Sequence, residues 1–126
     1  MYRCAIGAFV AAALIHPACA QVQRNFPQNA LRGTFVVGTP PEVLLNGQIA
    51  SLAPGARIRG QDNMALLSGA LVGAKLVVNY TVDTHGLVKD VWILRAEEAA
   101  VSPWPVTPEQ AQAWTFDSAA QRWTRP

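Results

Sequence analysis

Two short turn signals constrain this chain more than any other feature. Asn46-Gly47 sits between the apolar runs of "EVLLNGQIASL" (42–52), and both residues take positive φ at little cost, so the pair predicts a tight hairpin. Asp83-Thr84-His85-Gly86 interrupts "LVVNYTVDTHGLVKDVWIL" (76–94) and suits a type I turn closed by a left-handed glycine, a three-residue hairpin loop. Folding back twice in this way commits the chain to antiparallel sheet. "GTFVVG" (33–38) adds a strand bounded by glycines. In "APGARIRG" (53–60), Pro54-Gly55 predicts a turn, followed by a short strand with Ile58 to one side and Arg57 and Arg59 to the other. "MALLSGALVG" fits either a helical turn or two very short strands.

The second hairpin carries a register expectation. A three-residue loop places Val82 opposite Val88, Tyr80 opposite Asp90, Val78 opposite Trp92 and Leu76 opposite Leu94, all on one side of the ribbon. The other side is polar near the turn and apolar at the base, as happens when a sheet curls into a barrel or is covered by another segment. This register puts Asp90 on the core-facing side against Tyr80. A buried unpaired carboxylate costs several kcal/mol, so the acid must sit at the rim or find a partner. The candidates are the Tyr80 hydroxyl, Lys89, and an arginine of the Arg57/Arg59 strand.

Beyond Arg95 the texture changes. Residues 96–100 can extend as a helical turn. Thr107-Pro108-Glu109-Gln110 supplies an N-cap, a proline at the first helical position and a capping-box glutamine, which predicts a short helix to about Ala113. "WTFDSAAQRWTRP" (114–126) reads as a strand or hairpin. Three of the four tryptophans, Trp104, Trp114 and Trp123, fall in the last 23 residues. Each buries roughly 150–250 Å² when packed, so the tail either docks on the barrel or anchors a partner. Trp104 and Trp123 are the candidate partner anchors.

The first twenty residues have a different purpose. One basic residue, Arg3, precedes an uncharged apolar run from Ala5 to Ile15, and Ala18-Cys19-Ala20 ends the stretch: a secretory signal peptide with cleavage after Ala20. The apolar run is too short to span the roughly 30 Å of a hydrocarbon core as a helix. Lipidation at Cys19 is the competing reading, and His16-Pro17-Ala18 lacks the aliphatic residue expected three positions before the cysteine. Both cysteines, Cys4 and Cys19, lie in the removed segment, so the mature chain is expected to have neither disulfides nor thiolate chemistry and to rely on ordinary packing. Residues 21–31 are polar and read as a flexible lead-in, residues 32–95 as a small β-barrel domain, and residues 96–126 as a helical turn and Trp-rich tail.

Little in the sequence suits catalysis or nucleic-acid binding. Without Arg3 the ten basic residues become nine against eight acidic, a net charge of +1, which leaves no electrostatic footprint for nucleic acid. Processing leaves one histidine, His85, in a turn, with Asp83 as the one acid close to it. There is no nucleotide fingerprint, no paired-carboxylate signature and no metal-ligand spacing, so no cofactor is expected. Arg57 and Arg59, with Arg32 and Lys75 on neighbouring strands, form either a small basic binding patch or a solvated edge that guards against aggregation.

Residues 32–94 resemble small OB-like barrels of bacterial envelope proteins of unknown function. The likeness rests on a glycine-led first strand, the "LLNG" hairpin, the "PGARIR" strand, and "LVGAKLVVNY" with "DTHGLVKDVWIL" as the closing hairpin. It implies a small OB-like antiparallel barrel, and with the residues after Arg95 the fold expected is mainly β, that barrel followed by a short C-terminal helical segment and tail. Residues 76–117 also resemble the C-terminal domain of TonB-type energy-transducing proteins, through "VVNYTVDTHGLVKDVWIL" and "AWTF" (113–116), which implies a protein–protein interaction domain. The expectation is an exported, periplasmic, non-catalytic binding module with an envelope protein as partner and no transmembrane span in the mature chain. The alternative is a stand-alone structural or stress-related envelope protein.

Overall fold

The computed structural model describes residues 23–126. The expected signal peptide, with both cysteines, lies outside the described residues. Eight strands form: β1 (Leu31–Val37), β2 (Glu42–Leu45), β3 (Gln48–Arg59), β4 (Ala65–Leu66), β5 (Lys75–Val82), β6 (Val88–Ile93), β7 (Thr115–Asp117) and β8 (Arg122–Thr124). The first six make one sheet in the order β2-β1-β5-β6-β3-β4, and a further pairing of β2 with β3 closes five of them into a barrel. The protein is thus a mainly β, OB-like closed barrel, with β4 as an appendage on β3.

Local chemistry accounts for most of the joints. Asn46 and Gly47 take φ of 54° and 79°, the double positive φ that matches a two-residue turn to strand twist. β1 alternates inward Leu31, Gly33, Phe35 and Val37 with outward Arg32, Thr34 and Val36. The ambiguous "MALLSGALVG" stretch becomes both of its alternatives, the two-residue β4 and a 3-10 turn over Ser68–Leu71.

The Pro54-Gly55 turn does not end a strand. β3 runs unbroken through it, and its register against β6 shifts between Leu52 and Arg57, with Gly55 at φ +78°. This bulge bends β3 so that its first half pairs with β2 and its second half with β6, forming the corner that closes the barrel. The β3–β6 pairing is parallel, in contrast to the all-antiparallel barrel expected. The chain reaches it by the crossover through β4 and β5.

The hairpin register also departs from expectation. Val82 does face Val88, but a second bulge makes Lys89 the extra residue, and the pairs become Thr81–Asp90, Tyr80–Val91, Asn79–Trp92 and Val78–Ile93. One residue of slip inverts every later side chain. Val91 and Ile93 therefore enter the core with Val78, Tyr80, Phe35 and Val37, while Asp90 and Trp92 stand on the outside. The strand pair likened to the TonB domain is built into the barrel, held by β1 on one side and β3 on the other.

A second core forms on that outer wall. Phe26, Ala30, Leu94, Trp104 and Trp123 are buried there, packed with Trp92, Trp114 and Phe116. Within the lead-in expected to be flexible, Arg24, Phe26 and Ala30 are buried, with exposed residues between them. Its backbone is tied to the tail: Phe26 N–H donates to Gln121 Oε1 at 2.8 Å, and Gln121 Nε2 donates back to Phe26 O at 3.3 Å. The tail supplies two short helices, α1 (Ala96–Ala99) and α2 (Pro108–Ala113), then the β7–β8 hairpin. α2 carries the expected Thr107 cap and Gln110 capping box.

Candidate functional site

The tryptophans proposed from sequence as partner anchors are inside the molecule. Trp104 is 6% and Trp123 4% exposed. Their rings meet at 6.1 Å, and Phe26 and Phe116 stand edge-on to Trp104 at 5.9 and 5.8 Å. Trp104 Nε1 donates to Ala30 O at 3.0 Å, so the ring is fixed at its polar end as well. The physical reason is the size of the barrel, whose single small core leaves its outer wall of Trp92 and Asn79 in need of cover. Trp114 stays half-buried, with Arg125 over its ring at 5.3 Å.

Asp90 is a surface ion-pair member. It lies beside Arg57 across the β3–β6 ladder, approaches Arg59 NH1 at 4.0 Å and accepts from Thr81 Oγ1 at 3.3 Å. Of the three candidate partners, the arginine strand supplies the one observed, while Tyr80 points to the opposite face. Arg59 also sits over Trp92 at 5.9 Å, which leaves Arg57 as the exposed cation of that strand. A long, partly exposed pair of this kind contributes at most about 1 kcal/mol. It ties β3 to β6 and halves the basic patch expected there.

Two arginines hold the second layer together: Arg24, which sequence reasoning passed over, and Arg32, which it placed in the basic patch. Arg24, 7% exposed, donates through Nε to Glu98 Oε2 at 2.9 Å, through NH1 to Gly60 O at 2.8 Å and through NH2 to Ile93 O at 2.7 Å. Burial alone would raise the Glu98 carboxyl. Bonds from Arg24 and the Arg95 backbone, with both arginine charges, outweigh it and hold the acid below the ordinary glutamate range. Arg32 donates to Asn79 Oδ1 and to the carbonyls of Glu98, Ala99 and Val101, closing the C-terminal end of α1, and its guanidinium lies over Trp104 at 5.0 Å. Desolvation lowers the Arg32 pKa, partly offset by Glu98. These groups line a cavity of about 240 Å³. Their donors are directed mainly at carbonyls and carboxylates of the protein itself, the arrangement of a structural clamp.

His85 sits exposed at the hairpin tip. The adjacent Asp83 carboxylate accepts from His85 N–H at 2.8 Å and Leu87 N–H at 3.0 Å, and the Leu87 bond is the main cause of its lowered pKa. Asp83 is therefore a turn-closing acid. Among the described residues no three His, Cys, Asp or Glu side chains converge as a metal would require, and no helix is long and apolar enough to cross a membrane.

What the tail leaves bare is the outer face of β1, β2 and β3. Val36, Leu44 and Ile49 are cross-strand neighbours in register, and Ile49 is 75% exposed. Val77 on β5 is exposed on the same face, diagonal to Val36, and Lys75 and Glu42 border the row. The only hint in the sequence was the placing of Leu44 and Ile49 beside Val43 and Ala50, which are their inward-facing neighbours. Without the barrel's inside and outside, both runs read simply as apolar. Comparison of the chain with protein-family models, with curated proteins and with solved structures finds no match in any of the three.

Proposed function

We propose that this protein is an exported, non-catalytic binding module of the bacterial cell envelope, and that it meets an envelope protein through the outer face of β1–β3. The observation that carries the reading is the asymmetry of the barrel exterior. One wall is sealed by the chain's own lead-in and tail, while on the other Leu44 and Ile49 stand exposed beside the half-buried Val36. A stripe of adjoining apolar residues on a small domain marks an interaction surface more often than scattered single exposures do. Export is supported by the Arg3 head, the apolar run 5–15 and Ala18-Cys19-Ala20.

The test is photo-crosslinking in cells, with the probe placed in turn at Leu44, Ile49, Arg57 and Glu109. A discrete adduct from Leu44 and Ile49, and a mature N-terminus at Gln21, are the expected results. Absence of adducts from both positions in folded, exported protein would overturn the reading. It would favour the stand-alone structural alternative, which the burial of Trp104 and Trp123 in the protein's own core also suits.

A further inference from the structure

Beside the apolar row, a cleft of about 420 Å³ opens between the β2–β3 turn and the start of α2. Its floor is Leu45, Ala50 and Tyr80. One wall is the turn, with the side-chain amides of Asn46 and Gln48, and the other runs from Val106 through Pro108. Tyr80 is 6% exposed, yet its hydroxyl bonds to no described residue. The ring is buried but the hydroxyl is not sealed from solvent, so it opens on the cleft as an uncommitted donor and acceptor for whatever enters it. Burial raises its pKa, which keeps the hydroxyl protonated and able to donate.

The sequence sets the phenol there by a specific omission. A Cβ on Gly33 would come within 3.0 Å of Asn46 Oδ1 and 3.1 Å of the Tyr80 ring, so the glycine creates the space in which both side chains lie. Asn46 Oδ1 accepts from Thr34 N–H at 2.9 Å, which fixes the amide plane while its Nδ2 donates to no described residue. Thr107 Oγ1 accepts from Gln110 N–H at 3.2 Å as the α2 cap, so its own hydroxyl proton remains available.

We propose that this cleft binds an uncharged, hydroxyl-bearing ligand the size of one or two sugar rings. Among the described residues no cation lines it, and Glu109 stands at its rim, so an anionic ligand would meet a like charge there. Ile49, Val106 and Pro108 offer apolar walls for the C–H face of such a ring, and the amides with Tyr80 offer its hydroxyls both donors and acceptors. The volume falls within the range of small-ligand sites, and the cleft is open to solvent along one side, as suits a ligand that keeps some of its hydroxyls in water. The proposal does not depend on the protein partner of β1–β3.

The experiment is an NMR titration of the 15N-labelled mature chain with cellobiose and with N,N′-diacetylchitobiose, using glucuronic acid as the anionic counterpart. Saturable shifts confined to residues 45–50, 80 and 106–109 with at least one neutral disaccharide are expected. Tyr80→Phe should weaken that binding roughly 3- to 10-fold, the effect of one neutral hydrogen bond, while leaving the melting temperature unchanged or higher because no protein partner is lost. Flat titrations with both disaccharides, unchanged affinity in Tyr80→Phe, or equal binding of glucuronic acid would each overturn the proposal.

Discussion

Arg24 and Glu98, seventy-four residues apart in sequence, form a buried ion pair that joins the N-terminal segment to α1, with side chains only 5% and 10% exposed. The same guanidinium binds carbonyls at the ends of β3 and β6, at Gly60 and Ile93. One side chain thereby connects lead-in, barrel and tail.

Removing Arg24 leaves the desolvated Glu98 carboxylate with Arg95 as its remaining cation and strips the carbonyls of Gly60 and Ile93 of their donor. Arg24→Ala should cost about 3–5 kcal/mol of unfolding free energy, measured by urea titration of the mature chain. A loss below about 1 kcal/mol would mean the lead-in adds little to the fold.

The pair also sets an acid limb. The folded Glu98 carboxyl lies below its ordinary value of 4.5, so its contribution is fully present above that pH and is lost as pH falls through the depressed folded value. Asp83 shifts in the same direction, so the diagnostic is the difference between proteins. Stability plotted against pH should fall less steeply below pH 4.5 in Glu98→Gln than in the wild type. Superimposable acid limbs would assign the dependence to other carboxylates.

Trp123 tests whether the tail is core or arm. As part of the second core its truncation to Ala should cost roughly 3–5 kcal/mol and shift the remaining tryptophan fluorescence to the red. A free arm would lose less than about 0.5 kcal/mol, with unchanged emission.

Gly33 is required by space, since its missing Cβ is what lets Asn46 and Tyr80 approach. Gly33→Ala should destabilise by about 1–3 kcal/mol through overpacking, and move the resonances of both neighbours. Full stability with an undisturbed Tyr80 would show that the cleft floor has room to spare.

The joints of the fold were readable because they are local. Asn46-Gly47, Asp83 through Gly86 and the Thr107 cap each satisfy their own backbone within a few residues, so the residue types alone select the conformation. The register beyond the second hairpin was not readable. Lys89 is an ordinary strand residue, and only the fit of Val91 and Ile93 into a closed barrel forces it into a bulge that turns Asp90 outward. Pro54-Gly55 was misread for the same reason, since its residues serve a turn or a barrel corner equally well.

By itself, then, the sequence determined the strands, their tight turns, the short capped helix and the expectation of a barrel. Tertiary structure decided which wall of that barrel is covered and which stays open. It brought Phe26 onto Gln121, Arg24 onto Glu98 and Trp104 onto Ala30, and so turned a polar lead-in and a Trp-rich tail into a second core. It also set Tyr80 under a cleft bounded by the β2–β3 turn and by residues 106–109, some sixty positions further on. Turn chemistry acts between neighbours, whereas burial and the pairing of polar groups depend on contacts between residues many tens of positions apart, which no local pattern encodes.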